Sequence, residues 1–121
     1  MAAVRSYRDL IAWQKAMDYA VMVHQESARF PKDEIYGLRG QIRESSVSVP
    51  SNIAEGHGRR STKEFRRFLS ISYGSLCEAQ TQTLLAERFG YWDNSTTERI
   101  IRLGEEVGRL INGLRNSIKR S

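Results

Sequence analysis

A cluster of basic side chains between positions 59 and 67 is the strongest chemical signal in this sequence. These nine positions hold five bases and one acid, a net charge of +4, while the full chain carries +5. Guanidinium groups form forked hydrogen bonds to phosphate oxygens, and a lysine ammonium adds a point charge. The bases of the cluster are Arg59, Arg60, Lys63, Arg66 and Arg67.

The cluster has two interpretations, a solvated charged face or a phosphate-binding surface. Lys63, Arg66 and Arg67 are spaced to share one face of a helix. They fall at the predicted start of that helix, where the macrodipole disfavours cations and free N–H groups favour an anion. A broken local rule often marks function, which weakens the first interpretation, but the residues by themselves leave both open. Candidate extensions of such a surface are Arg39, Arg43, Arg115, Lys119 and Arg120.

Other site chemistry has little support in the residue types and their spacing. The chain has two histidines, His24 and His57, and one cysteine, Cys77. A metal site needs three or four converging ligands, and no paired ligand spacing occurs. His24 is interpreted as a core histidine and Cys77 as a small buried residue. We predict no metal, no cofactor and no enzymatic activity, although spacing alone leaves a Cys77–His24 or Ser–His pairing open.

The Gly56-His57-Gly58 segment is interpreted as a helix end and a turn. It lacks the pattern of a phosphate-binding nucleotide loop, and no strand precedes it. Either Gly56 or Gly58 is expected to supply the left-handed residue that ends the second helix.

Length and composition place the chain among small globular proteins. Its 121 residues predict one domain over 1–121, and 40% apolar with 27% charged residues is ordinary for that class. A single cysteine permits no intrachain disulfide, which fits the reducing cytoplasm. No apolar run approaches a membrane span. The pI near 9.7 indicates an acidic partner, with nucleic acid first and an anionic membrane second.

Apolar residues recur at spacings of three and four in four segments, which predicts four helices and no strands. The predicted inward face of the first helix is Leu10, Trp13, Met17, Ala20, His24 and Ser27, and that of the second is Ile35, Leu38, Ile42, Ser45, Val49 and Ile53. The predicted inward face of the third helix is Phe65, Phe68, Leu69, Ser72, Leu76, Ala79 and Thr83, and that of the fourth is Ile100, Leu103, Val107, Leu110, Leu114 and Ile118. Ser6 with Asp9 resembles a capping box, and Ser61 with Glu64 forms another. Short connections between long helices make neighbours antiparallel, so the fold class is an all-α, up-down-up-down four-helix bundle. The predicted helices are approximately 7–29, 32–55 with a kink at Pro50, 61–89 and 95–119.

Several large apolar residues lie off the predicted inward faces, which indicates a second buried surface and a homo-oligomer. Trp13 is expected in the core. Trp92 is expected to plug a gap between helices, with contact to a partner as the alternative. The apolar residues off the inward faces are Ile11, Tyr19, Val23, Ile71, Leu85, Phe89, Ile101 and Ile111.

Nearly the whole chain resembles the bacterial four-helix bundle proteins encoded within intervening sequences of 23S ribosomal RNA, the S23 family. The resemblance rests on three segments: RDLIAWQKAMDYA, FPKDEIYGLRGQIRESSVSVPSNIAEGHGRRSTKEFRRFLSISYGSLCEA and GRLINGLRNSIK. It implies a homopentameric ring and an expectation of nucleic-acid binding. The chain is similar too to accessory proteins of diversity-generating retroelements, which share the pentameric barrel and partner a reverse transcriptase. It departs from the family at Ala79 and Gln80, where a leucine and a second acid are frequent.

Together these features predict a cytoplasmic, oligomeric, non-catalytic bundle that binds structured RNA or DNA through phosphate contacts. The alternative is a protein–protein adaptor or structural ring, such as an accessory partner of a reverse transcriptase. In that case the basic cluster would dock an acidic protein surface or form ion pairs across the oligomer seam.

Overall fold

The computed structural model describes residues 4–118, and within that range the chain is all-helical with four long helices and no strand, as predicted. Short 3-10 turns at Tyr7–Asp9 and Lys32–Glu34 precede the first and second of them. The long helices are α1 (Ile11–Ser27), α2 (Leu38–Gly58), α3 (Thr62–Arg88) and α4 (Asn94–Ser117).

Two of the predicted helix starts are wrong because a 3-10 turn stands where the helix was expected. Leu10 adopts an extended conformation, so the turn before it is separate from α1. The predicted capping box is present there: Ser6 Oγ accepts from the Arg8 amide, and Asp9 Oδ2 accepts from the Ser6 amide at 3.2 Å. Similarly, Lys32–Glu34 forms a turn and α2 begins only at Leu38. Position 119, the predicted end of the fourth helix, lies outside the described residues.

Helix α2 continues through Pro50 and past Gly56, and it ends at Gly58, the second of the two candidate glycines. Proline has no N–H to donate, which leaves a carbonyl one turn earlier without its partner. Side chains around it bond neighbouring carbonyls: Ser51 Oγ donates to Val47 O at 2.9 Å and Asn52 Nδ2 to Ser48 O at 2.8 Å. Both acceptors are neighbours of Ser46 O, the carbonyl that Pro50 leaves without its usual partner.

Each helix contacts two others, in the order α1–α2, α2–α3, α3–α4 and α4–α1. The α2–α3 seam is built from small polar side chains that allow a close approach. Ser45 Oγ donates to Gln82 Oε1 at 2.6 Å, and Ser48 and Ser75 hydroxyls lie 2.8 Å apart. Pairs along this seam run in opposite sequence directions, which brings the end of α2 beside the start of α3.

Ion pairs tie α1 to α4. Arg99 lies 3.1 Å from Glu26, and Lys15 lies 3.6 Å from Glu106, each measured between side-chain nitrogen and carboxylate oxygen. These pairs are partly exposed, so each contributes little stability by itself. Their order again places early residues of one helix against late residues of the other.

The predicted inward faces of α2 and α3 largely match the core, while that of α1 is wrong. The structure buries Ala16, Tyr19 and Val23, and leaves Met17 and His24 exposed. Alanines on the inner face let α1 approach its neighbours closely, and the large residues of the predicted face lie outside. The buried alanines carry too weak an apolar signal to outweigh Trp13 and Met17 in a sequence pattern.

A polar chain crosses the core from α1 to α3 and α4. The Tyr19 hydroxyl donates to Gln80 Oε1 at 2.7 Å, and Gln80 Nε2 donates to Ile101 O at 3.1 Å. Burial raises the pKa of Tyr19 above its ordinary value, so the hydroxyl stays a donor. An amide accepts and donates at once, which an ionised carboxylate cannot do. Gln80 therefore suits this contact at a position where the family resemblance implies an acid.

Candidate nucleic-acid interface

One end of the bundle, here called the basic end, holds most of the positive charge. The end of α2, the start of α3 and the last turn of α4 meet there with the N-terminal segment (residues 4–10). Among the described residues this end has eight bases and three acids, a net charge of +5. The bases are Arg5, Arg8, Arg59, Arg60, Lys63, Arg66, Arg67 and Arg115, and the acids are Asp9, Glu55 and Glu64.

The rest of the described chain is slightly acidic. It has nine bases and eleven acids, a net charge of −2. Charge is thus separated along the bundle rather than spread over its surface. A net positive end focuses an attractive potential on anions and steers their approach.

Two of the predicted site residues are held over an aromatic ring. The guanidinium carbons of Arg59 and Arg67 each lie 5.1 Å from the centroid of Phe68. Cation–π contacts of this kind fix the side chains without removing their charge. Arg59 also bonds Glu55 at 2.7 Å, and Arg67 lies 3.6 Å from Glu64. Both arginines remain exposed, so their guanidiniums are positioned and available to a ligand.

Arg66 has a different environment from the one predicted. It is half-buried, and its guanidinium donates to the carbonyl of Arg115 and, at 3.1 Å, to the carbonyl of Ile118. In return Arg115 Nη1 donates to Ser70 Oγ at 3.1 Å. A cation that satisfies the last carbonyls of a helix is a favourable C-terminal cap. Arg66 therefore joins α3 to α4, while Arg59, Arg60, Lys63 and Arg67 face solvent.

The candidate extensions on α2 are not part of this surface. Arg43 Nε donates to Ser27 Oγ at 2.8 Å, and Arg43 Nη2 to His24 O at 2.9 Å. Arg39 Nη2 donates to Phe30 O at 3.3 Å. Both arginines bond residues at or just after the end of α1, so they lie away from the basic end. Of the C-terminal candidates, Arg115 lies at the basic end, and Lys119 and Arg120 lie outside the described residues.

Arg60, rather than a glycine, is the left-handed residue that follows α2. Its φ is 57°, and among residues 4–118 it is the single non-glycine residue with a positive φ. Its amide donates to the His57 carbonyl as the helix ends. Where a helix ends with a left-handed residue, that residue is usually glycine, because a side chain there costs about 1–2 kcal/mol. A strained arginine at a basic surface is the pattern of a functional residue.

Replacing Arg60 with glycine is expected to raise the free energy of unfolding by roughly 1 kcal/mol, because the strain is relieved. Chemical denaturation followed by circular dichroism measures this. The matched variant Arg60→Ala removes the same charge and keeps a Cβ. If Arg60→Ala stabilises the protein as much as Arg60→Gly, charge repulsion and not backbone strain is the cause.

The sequence-based interpretation of His24 and Cys77 as buried residues is wrong. His24 and Cys77 are both exposed, since the face of α1 is rotated from its predicted position and Cys77 lies on the outer side of α3. Trp92, however, is buried and its Nε1 donates to Glu26 O at 2.9 Å, so it plugs the gap between helices as predicted. Trp13 is half-buried against Tyr7, with ring centroids 5.3 Å apart.

No group of three potential metal ligands occurs among residues 4–118. None of the helices in that range combines the length and apolar character that a bilayer span requires. The residues that sequence reasoning missed at the basic end are Arg5, Arg8 and the ring of Phe68. A signal for Arg5 and Arg8 was present, because the predicted up-down order would bring the start of the first helix to the end of the second.

The fold and its basic end define a class: a small helical bundle with four long helices and a cationic surface at one end. The chain belongs to the 23S rRNA-intervening sequence protein family, whose model matches residues 8–113. The chain is also similar to a crystal structure from Bacteroides thetaiotaomicron, a protein of unknown function from the S23 ribosomal protein family. That similarity has a TM-score of 0.78 and 20% identity, covering 87% of this chain and 98% of the other. No curated protein matches this chain.

Proposed function

We propose that this chain is a non-catalytic cytoplasmic protein that binds structured RNA or DNA through phosphate contacts at its basic end. The observation that carries the proposal is the pair of guanidiniums, Arg59 and Arg67, held over Phe68 in a region of net charge +5. The family description adds support, since it associates these proteins with 23S ribosomal RNA.

The geometry favours backbone contacts over the reading of base sequence. Forked guanidiniums match phosphate oxygens, and phosphate contacts carry no sequence information by themselves. The arginines are fixed before the ligand arrives, so less side-chain entropy is lost when it binds. Lys63 and Arg60 add exposed charges at the helix start, where α3 leaves free backbone N–H groups.

Fluorescence anisotropy with a labelled RNA hairpin and a matched DNA duplex, across a series of salt concentrations, tests this function. Counterion release makes affinity fall steeply with salt, by about 0.9 log units per log unit of salt for each duplex phosphate neutralised. Binding at submicromolar protein that weakens in this way is expected. Flat curves at low salt for both ligands would remove nucleic acid as the ligand.

We also propose that the helices follow an up-down-up-down order and that copies of the chain form a ring, a pentamer by the family resemblance. Supporting the ring is the α1–α2 groove, a cavity of about 440 Å³ lined mainly by apolar side chains that include Met17, Val21, Val47 and Pro50. Val21 is 51% exposed and Val47 53%. A ring requires two different surfaces in contact, and the α3–α4 side offers exposed Leu84 as part of the second.

Placing a charge in the groove is expected to break this assembly. Val21→Glu should convert the oligomer to monomer in light scattering coupled to size exclusion, because a carboxylate cannot be buried there unpaired. Ile11→Glu is the matched control: it lies on the same helix, is 61% exposed and is not among the residues that line the groove. A wild-type monomer, or two variants that dissociate equally, would contradict the assignment.

The second candidate function is a protein–protein adaptor, and the same apolar groove favours it. Monomers rarely expose a contiguous apolar surface without using it. If Val21→Glu leaves the oligomer intact and nucleic acid does not bind, the groove belongs to another protein. Salt-independent binding of a partner that Val21→Glu abolishes would then identify the adaptor.

A further inference from the structure

The basic end contains a cavity of about 620 Å³, which lies between the N-terminal segment and the α2–α3 turn. Its lining includes Arg5, Ser6, Tyr7, His57 and Arg60. Ligand sites in proteins have volumes of about 300–1,000 Å³. Basic and aromatic side chains therefore meet around one open cavity, which the phosphate contacts of Arg59 and Arg67 do not require.

The walls of this cavity are held in place by contacts within the chain. The Asp9 carboxylate accepts from the backbone amides of Arg5 at 3.0 Å and Ser6 at 3.2 Å, which fixes the N-terminal segment. The ring of Tyr7 packs edge-on against Trp13, with centroids 5.3 Å apart. The His57 ring meets Phe65 in the same way at 5.6 Å. The two aromatic walls are thus formed before any ligand enters.

The chemistry of the lining matches a nucleotide. Flat side chains such as tyrosine and histidine stack on unpaired bases, and guanidiniums bind the adjoining phosphate. Arg5 approaches the cavity from the N-terminal segment and Arg60 from the α2–α3 turn. Arg60 has a strained left-handed conformation, with φ of 57°. Backbone strain of this kind is concentrated at residues that contact ligands. A paired base is held in its stack and cannot enter, whereas an unpaired base can be turned outward.

We propose that this cavity receives one unpaired nucleotide of the bound nucleic acid, with its base against Tyr7 or His57 and its phosphate between Arg5 and Arg60. The inference rests on the proposed function, since the same basic end must bind the strand. It adds a preference that phosphate contacts do not give: a bulge, a loop or a free end binds better than a continuous duplex.

Three RNA hairpins that differ at one position test the preference by fluorescence anisotropy. One is fully paired, one has a single bulged nucleotide, and one has an abasic residue in the bulge. The bulged hairpin is expected to bind about tenfold more tightly than the paired one, the effect of stacking one base. The abasic hairpin should bind like the paired one, because it keeps the flexible backbone and lacks the base.

Variants separate this cavity from the surrounding charge. Tyr7→Ala and His57→Ala, made singly so that one folded variant suffices, should reduce the tenfold preference and leave binding to the paired hairpin unchanged. Arg59→Ala with Arg67→Ala should weaken binding to all three hairpins and keep the ratio between them. Circular dichroism confirms that each variant is folded.

Three results would each overturn the inference. Equal affinity for the bulged and paired hairpins, or tight binding of the abasic hairpin, rejects the nucleotide cavity while the phosphate-binding function stands. Absence of binding to all three hairpins rejects the proposed function and, with it, the cavity.

Discussion

Replacing Arg59 and Arg67 together with alanine is expected to lower the affinity for a structured RNA hairpin by roughly a hundredfold at low salt. This estimate assigns about tenfold, or 1.4 kcal/mol, to each lost phosphate contact. The slope of log affinity against log salt should fall by about 1.8 for a duplex, since each contact contributes about 0.9. Anisotropy across the salt series measures both quantities in one experiment.

The matched control is Arg88→Ala with Arg102→Ala. These two residues are exposed and carry the same charge, but they lie outside the basic end. A general effect of net charge would weaken binding equally in both double variants. Equal losses, or a parent-like Arg59 and Arg67 variant, would refute the assignment of the site.

Phe68→Leu tests how the positioning of the Arg59 and Arg67 guanidiniums affects binding, without changing their charge. The leucine keeps the buried apolar contact, because Phe68 is 7% exposed, but it removes the ring beneath Arg59 and Arg67. The number of charges is unchanged, so the salt slope should stay near that of the parent. Affinity should still fall, by a few-fold, as the guanidiniums lose about 0.5–1 kcal/mol of positioning contact.

Replacing Gly56 with alanine is expected to destabilise the fold by about 1–3 kcal/mol, the usual cost of overpacking. A Cβ at this position would lie 2.6 Å from Phe68 Cβ and 3.2 Å from Phe65 Cδ1, too close for atoms that are not bonded. Because Phe68 Cβ is fixed to its backbone, α2 and α3 would have to separate. Chemical denaturation should show a lower midpoint with little change in the denaturant slope.

Gly58→Ala is the paired variant with the opposite expected sign. A Cβ at Gly58 would have no heavy atom within 4 Å. Alanine there restricts the unfolded chain and favours the helix, which gives about 0.4–1 kcal/mol of stability. If both alanines destabilise the protein by the same amount, helix ending and not contact with Phe68 governs this segment.

The sequence predicted the number of helices and the inward faces of α2 and α3, where large residues such as Ile42 and Leu69 lie on one side. It failed on α1, where Ala12 and Ala16 lie on the inner face together with Tyr19 and Val23. Small residues contribute little apolar area, yet they decide how closely two helices approach. How much a small residue matters depends on the residue that it packs against, and the periodicity of the sequence does not identify that neighbour.

The sequence predicted the basic cluster as one group, but it did not predict that the members of the cluster have different roles. Arg66 bonds main-chain carbonyls that lie 49 and 52 positions along the chain. Main-chain acceptors have no residue signature, so such a contact is invisible in a sequence pattern. The turn after α2 was predicted, but its left-handed residue was wrongly assigned to a glycine. Glycine is the favoured residue at such a position, and Arg60 departs from that rule.

Both limits of the described chain lie at the basic end. Arg66 contacts the last turn of α4, and Arg60 lines the same cavity as Tyr7. Any tag or fused domain joined before residue 4 or after residue 118 would leave the molecule beside the proposed ligand. Reporter groups attached there would hinder binding or give a false signal. Tyr36, 98% exposed in the connection between α1 and α2, lies at the opposite end and is the better attachment point.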